Sequence, residues 1–201
     1  MELFEKLQSI DLILASQSPR RKALMEMAGF SFRTWVIPGN EEYPEDLLPE
    51  EVAIYLCRQK ALPFKELIKP DALVITADTI VVKDNMILNK AADAQRARRM
   101  LEMLSGSSHR VITGVCLTTK QNQLAFTETT RVHFAPMNQQ EIEHYITTCQ
   151  PFDKAGAYGI QEWIGAVMVE KIEGSYHNVV GLPMARLYQE LKSFMHQWQN
   201  A

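Results

Sequence analysis

Residues 16–21, Ser-Gln-Ser-Pro-Arg-Arg, gather two hydroxyls and two guanidinium groups where a short apolar run, residues 12–15, gives way to an amphipathic segment. Either serine can cap a helix, and Pro19 suits its first turn, where a missing N–H costs nothing. Free backbone N–H groups, the Ser16 hydroxyl and the forks of Arg20 and Arg21 then share the positive end of a helix, a combination suited to a phosphate chain. The alternative is an exposed arginine pair on a capped helix. Further along, Lys60 and Lys90 stand next to expected element ends, and the carboxylates Glu42 and Asp78 fall on expected loops in the same half of the chain. Four cations and two carboxylates form a kit for a metal-bound polyphosphate if they converge, and are solvated surface charge if they do not.

A second group of residues suits a flat ligand. In residues 153–161, Asp-Lys-Ala-Gly-Ala-Tyr-Gly-Ile-Gln, two glycines three apart precede Gln161, whose amide offers both a donor and an acceptor to the edge of a nucleobase. A structural turn is the other reading. Glu141 and His144 have half the spacing of a carboxylate metal site without its second half, and read as an ordinary surface pair. His109, His133 and His177 share no ligand spacing, and Walker, Gly-x-Gly-x-x-Gly and Gly-x-Ser-x-Gly patterns are missing from the sequence.

The elements that must hold these residues are legible from periodicity. Residues 12–15 read as a strand, followed by a helix whose buried stripe is Leu24, Met27 and Ala28. Residues 32–37 have β-type content and lead into a polar loop, 38–44, that includes Asn40. Residues 49–62 read as a helix burying Val52 and Leu56, with Arg58 and Lys60 toward polar surroundings. Residues 72–76 read as a buried strand with Asp78 just past its end, the edge where ligands of open α/β sheets collect. Residues 79–83 and 86–88 flank an Asp84-Asn85 hairpin turn. A helix with Ala97, Met100, Leu101 and Leu104 on its core face stops at Ser105-Gly106. Residues 109–119 and 124–134 read as an antiparallel pair. Ile142, Tyr145 and Ile146 mark a short helix, residues 165–172 a strand, and Met184, Leu187, Tyr188 and Leu191 a closing helix reaching toward Trp198. The alternation predicts one α/β domain over residues 1–201, folded around a groove.

Bulk properties narrow the function. A chain of 201 residues that is 46% hydrophobic and 22% charged reads as an ordinary globular protein, and its net charge of −3 argues against broad attraction to nucleic acid. Three widely spaced cysteines support neither a disulfide framework nor a zinc knuckle, and the acidic N-terminus lacks the features of a signal peptide. No run reaches membrane-spanning length. A cytoplasmic protein with no membrane association is expected, and apolar surface left on the long helices would allow a homodimer.

Residues 15–21, Ala77-Asp78-Thr79, Leu104-Ser105-Gly106 with His109, residues 153–161, and Gly174-Ser175-Tyr176 with residues 180–183 together resemble the Maf family of nucleoside triphosphate pyrophosphatases, in order, from about Leu12 to Leu191. The resemblance implies a mixed twisted sheet with flanking helices, in two lobes around a nucleotide cleft, similar to inosine triphosphate pyrophosphatase. It also implies hydrolysis of a nucleoside triphosphate to the monophosphate and pyrophosphate, assisted by Mg2+ or Mn2+. Asp78 matches the family's catalytic base; Arg20, Thr79 and Gln161 match positions tied to substrate choice. Ser16, Arg21, Glu42, Lys60 and Lys90 match positions that bind phosphate or metal, with Glu42 and Asp78 as the metal carboxylates. Residues 153–161 resemble the branch acting on dTTP and UTP, the alternatives being a 7-methyl-GTP pyrophosphatase, a nucleotidyltransferase, or a nucleotide-binding regulator of cell division that does not hydrolyse its ligand. Gln17, Ala91 and Glu162 depart from the common pattern, and Glu162 is expected to repel phosphate or narrow the base pocket.

Overall fold

A computed structural model describes residues 2–39 and 41–199; Asn40, in the expected polar loop, lies outside them. The element order is α1 (Glu2–Gln8), β1 (Asp11–Leu14), α2 (Pro19–Met27), β2 (Arg33–Thr34), α3 (Pro49–Ala61), α4 (Phe64–Leu67), β3 (Ala72–Lys83), β4 (Met86–Leu88), α5 (Ala94–Leu104), β5 (Ser108–Thr118), β6 (Gln123–Phe134), α6 (Gln139–Cys149), α7 (Trp163–Val167), β7 (Val169–Glu173), α8 (Tyr176–Val180) and α9 (Met184–Gln199). The strands form one mixed sheet in the order β2-β1-β3-β5-β6-β7, with β4 paired to β3. β1 runs parallel to β2 and β3, while β4 is antiparallel to β3 and β7 to β6. The expected mixed sheet with flanking helices is therefore present.

Two compact units interleave along the chain. One takes the residues through Asp78, Thr113–Glu128, and those from Gly181 onward; the other takes Thr79–Ile112 and Thr129–Val180. In the first unit, Ile13, Phe64, Ile68 and Val74 pack into one apolar cluster, and Cys57, Ala61 and Cys116 into another. The second unit is built on α5 and α6. Ala97, Met100, Leu101 and Leu104 meet Ile142, Tyr145 and Ile146 there, with Tyr158, Ile160 and Ile164 in the same cluster. The α5 residues are those whose 3.6-residue spacing marked a core face, so this helix forms because it has an amphipathic side to bury.

Four sequence expectations change. Met27 is 75% exposed, and Leu24 and Met25 supply the buried side of α2. The β-type content of residues 32–37 yields only the two-residue β2, paired to β1 through Ile13 and Leu14. Asp78 lies inside a strand rather than past its end, because β3 continues without a break to Lys83. Residues 165–167 are helical rather than extended; a Cβ on Gly165 would stand 1.8 Å from the Ile160 carbonyl oxygen, so this backbone approach is open only to glycine. The Asp84-Asn85 turn is as expected, with φ of +48° and +64°, the left-handed pair that a two-residue hairpin turn requires.

Candidate active site

The carboxylate of Asp78 is placed by two periodicities acting together. Side chains two apart on a strand share a face, so Thr76 and Asp78 of β3 point the same way. Thr76 Oγ1 donates to the Cys57 carbonyl at 2.7 Å, and Asp78 accepts from Lys60, one turn further along α3. Helix and strand can come this close because α3, besides Val52 and Leu56, buries a row of small residues, Ala53, Cys57 and Ala61, at four-residue spacing. The neighbouring strand β5 also lies against α3, at Gly114, where a Cβ would stand 2.1 Å from the Ala53 carbonyl oxygen. Lys60 also donates to Glu41 at 3.0 Å, so one ammonium joins two carboxylates.

Arg21 braces the same region. β1 is in register with residues 72–75 of β3 and β4 with residues 81–83, leaving residues 76–80 between the two pairings. The Ala77 carbonyl in that interval accepts from Arg21 Nη1 at 2.8 Å, and Arg21 Nε donates to the Gly181 carbonyl at 2.8 Å. Contacts to Ser16 Oγ (3.4 Å, from Arg21 Nη1) and Ser18 Oγ (3.4 Å, from the Arg21 backbone N–H) tie the β1–α2 loop to this strut. Desolvation pushes the Arg21 guanidinium below its ordinary pKa; Asp78 opposes that effect, Arg20 adds to it, and Glu41 opposes it. Ser16, Arg20, Arg21, Lys60 and Asp78 thus belong to one cationic and carboxylate neighbourhood. Glu42 is exposed on the loop beside Glu41, and it is Glu41 that pairs with Lys60, a partner that sequence reasoning missed because nothing in the spacing separates two adjacent glutamates.

Among the described residues no group of three or more His, Cys, Asp or Glu side chains forms a metal cage. The donor chemistry fits a hard divalent ion that arrives with phosphate oxygens, since such ions are commonly held by one or two carboxylates plus substrate and water.

The remaining expected site residues lie in the second unit. Thr79 directly follows Asp78 and is partly buried, and Lys90 is exposed. Lys90 forms a β-bridge with Ala155, and Gly156 N–H donates to the Leu88 carbonyl at 2.9 Å, so the segment carrying Lys90 is bonded to the start of the 153–161 loop. Gly156 and Ala157 both have positive φ, and residues 156–160 are buried; Gln161 is the first exposed residue after them. The Glu162 carboxylate, one of the departures from the common pattern, has both oxygens engaged. Lys154 pairs with it at 3.0 Å, and the Tyr145 hydroxyl donates to its other oxygen. Glu141 closes a capping box on α6 with Asn138, and His144 stacks edge-on to Trp163, which accounts for that pair without a metal. His109 is buried, with Nε2 2.7 Å from the Tyr158 hydroxyl.

The sequence pattern of the family described as Maf-like protein matches residues 11–194. A relative in Phocaeicola vulgatus named dTTP/UTP pyrophosphatase is 49% identical over 191 residues, 94% of this chain and 99% of its own. One of the same name in Porphyromonas gingivalis is 44% identical over 195 residues, 96% of this chain and 98% of its own. A solved structure titled nucleoside-triphosphatase / dITP/XTP pyrophosphatase, from Mycobacterium abscessus, covers 64% of this chain and 76% of its own at 16% identity and a TM-score of 0.41, too distant a likeness to add anything. No helix among the described residues is long and apolar enough to cross a membrane.

Proposed function

Since the chain belongs to the Maf family, we propose that it hydrolyses dTTP and UTP to the monophosphate and pyrophosphate, with Asp78 as the base. The observation that carries this reading is the buried Asp78 carboxylate, held by a lysine that it shares with Glu41, beside the desolvated Arg21 guanidinium. A triphosphate tail competes for Lys60 because it carries more charge than one carboxylate does. Transfer of the ammonium to phosphate leaves Asp78 able to accept a proton from water. That water attacks the α-phosphorus, the bond from the α-phosphorus to the bridging oxygen breaks, and pyrophosphate departs with the electron pair.

Ser16, Arg20, Arg21 and Lys90 complete the phosphate contacts in this reading, with Arg21 chiefly holding the strand carbonyl beside Asp78. Mg2+ or Mn2+ would be held by Asp78 and Glu42, with Glu41 next to them, together with phosphate oxygens. When bound, such an ion offsets charge on the tail and lowers the pKa of a bound water. Gln161 and Thr79 supply the hydrogen bonds that favour the carbonyl and N3–H edge of thymine and uracil over the altered edge of cytosine.

A screen of dTTP, UTP, CTP, dATP and 7-methyl-GTP with and without Mg2+, following monophosphate and pyrophosphate, tests the reading. Release of both products from dTTP and UTP ahead of the others is expected. A purine preference would overturn the base assignment, and binding without pyrophosphate release would overturn hydrolysis.

A further inference from the structure

The turn that carries Gln161 is closed more tightly than a surface turn needs to be. Glu162 N–H donates to the Gly159 carbonyl at 3.0 Å, making residues 159–162 a hydrogen-bonded turn with Gln161 at its third position. Gly159 N–H donates to the Tyr145 hydroxyl at 2.9 Å, and that hydroxyl donates onward to Glu162 Oε2. Glu162 Oε1 takes Lys154 at 3.0 Å, and Lys154 also donates to Asp153 at 2.7 Å. The Glu162 side chain folds back over the turn so closely that a Cβ on Gly159 would stand 2.8 Å from its Cδ. The Tyr145 ring is fully buried and stacks on Trp163, with centroids 6.5 Å apart and planes at 25°.

We infer that Tyr145, Glu162 and Lys154 form a clamp whose role is to fix the backbone that presents the Gln161 amide, making them positioning residues for base selection; this rests on the reading of Gln161 as the base-contacting side chain. An amide reads a base edge only if its donor and acceptor ends are not interchangeable, and a mobile turn would present either end at an entropic cost in binding. The clamp removes that freedom from the backbone on both sides of Gln161: the Gly159 N–H and carbonyl are both engaged, and Glu162 is held through its N–H and its carboxylate. A buried ion pair serving stability alone would not need the tyrosine hydroxyl to bridge it to the amide two residues before Gln161.

Steady-state kinetics of the full chain on dTTP, UTP and CTP, with thermal unfolding alongside, test the clamp in Tyr145→Phe, Glu162→Gln, Gln161→Ala and the Tyr145→Phe/Gln161→Ala double variant. Tyr145→Phe keeps the ring and loses both bonds. It is expected to raise KM for dTTP and UTP about tenfold, the scale of a lost hydrogen bond, with kcat held within about twofold. The preference for dTTP over CTP shrinks with it. Glu162→Gln keeps an acceptor for the tyrosine and should raise KM only about threefold, and it carries the comparison if Tyr145→Phe does not fold. In the Gln161→Ala background the tyrosine change should have almost no effect on KM, since the residue it positions is gone. A wild type that prefers dTTP while Tyr145→Phe lowers Tm and leaves KM unchanged, or multiplies independently with Gln161→Ala, overturns the clamp alone. A wild type without preference among the three pyrimidines overturns the reading of Gln161 itself, and the clamp with it.

Discussion

Two lysine–carboxylate pairs lie at similar depth, one in each compact unit, and differ in how completely they are closed. The side chains of Lys60 and Asp78 are 22% and 12% exposed, those of Lys154 and Glu162 10% and 21%. Depth therefore does not separate them; the remaining partners do. Glu162 has both oxygens taken, one by Lys154 and one by the Tyr145 hydroxyl. Each lysine is divided between two carboxylates, Lys60 between Asp78 and Glu41 and Lys154 between Glu162 and Asp153, but Asp78 has one oxygen engaged, on Lys60. A closed pair has nothing to exchange with a ligand. An incompletely closed pair, whose carboxylate has only one oxygen engaged, can give its cation to a stronger anion and leave that carboxylate behind.

The sharpest way to break this contrast is to remove the carboxylate proposed as the base. Asp78→Asn keeps the size and a polar contact with Lys60, so the fold should persist while turnover falls by about 10²–10⁴-fold, the range for loss of a general base. Pyrophosphate release measures the fall, and calorimetric titration with a non-hydrolysable triphosphate should show binding retained. Turnover near the wild-type value would move the base elsewhere.

The second test sets the lysines against each other. Lys154→Met strands Glu162 in a closed site and is expected to cost about 3 kcal/mol of stability, as breaking a buried pair does. A non-hydrolysable triphosphate should still raise its Tm, because ligand that binds only the folded state stabilises by mass action. Lys60→Met should lose most of that ligand-dependent rise. If both variants keep the rise, the two pairs do not differ in the way their partners suggest.

Sequence made this contrast only partly legible. Core faces such as Ala97, Met100, Leu101 and Leu104 follow from periodicity alone, and the Asp84-Asn85 turn from local backbone chemistry. The position of Asp78 inside β3 did not, because a carboxylate ordinarily ends a buried strand, and only its pairing with a lysine from another element makes it tolerable there. The same holds for Glu162. Its neutralisation depends on Tyr145 and Lys154, which lie 17 and 8 positions away and carry no local mark of the bond. Arg21 was recognisable as an anion-binding fork, but not as a strut for the Ala77 and Gly181 carbonyls, the latter 160 positions distant. Long-range polar partners are what a single sequence hides, and in this protein they distinguish the two pairs.

Burial without any ionic partner gives a third case. His109, packed against Phe134 and Tyr158, is pushed down to about 3 by desolvation, with the charges of Lys83 and His133 adding to the effect, and its Nδ1 has no hydrogen-bond partner among the described residues. In the unfolded chain the same ring titrates near about 6.5. The unfolded state thus binds the extra proton between these values, so this contribution to stability is complete above about pH 6.5 and is lost on acidification, amounting to roughly 3 kcal/mol by about pH 4.5. Urea unfolding of wild type and His109→Gln at both pH values should show a smaller acid loss in the variant. Equal losses would mean that other groups govern acid unfolding.

The smallest expected effect compares the caps of two helices, α6 and α2, that carry Tyr145 and Arg21. On α6, which carries Tyr145, Asn138 accepts from Glu141 N–H at 3.0 Å and its own N–H donates to Glu141 Oε2 at 2.7 Å, a reciprocal box. On α2, which carries Arg21, Ser18 accepts from Arg21 N–H at a marginal 3.4 Å, and no acidic residue lies in the first turn. Asn138→Ala should therefore cost about 1 kcal/mol in denaturant unfolding, and Ser18→Ala about half of that or less. Activity should rank the other way if the proposed roles hold: the α6 cap supports a clamp held also by Tyr145 and Lys154, whereas the α2 N-terminus lies beside Arg20 and Arg21, the cations assigned to the phosphate tail. If Ser18→Ala costs as much stability as Asn138→Ala and leaves KM unchanged, the α2 terminus is simply a capped helix end, and Arg21 serves there as a strut alone.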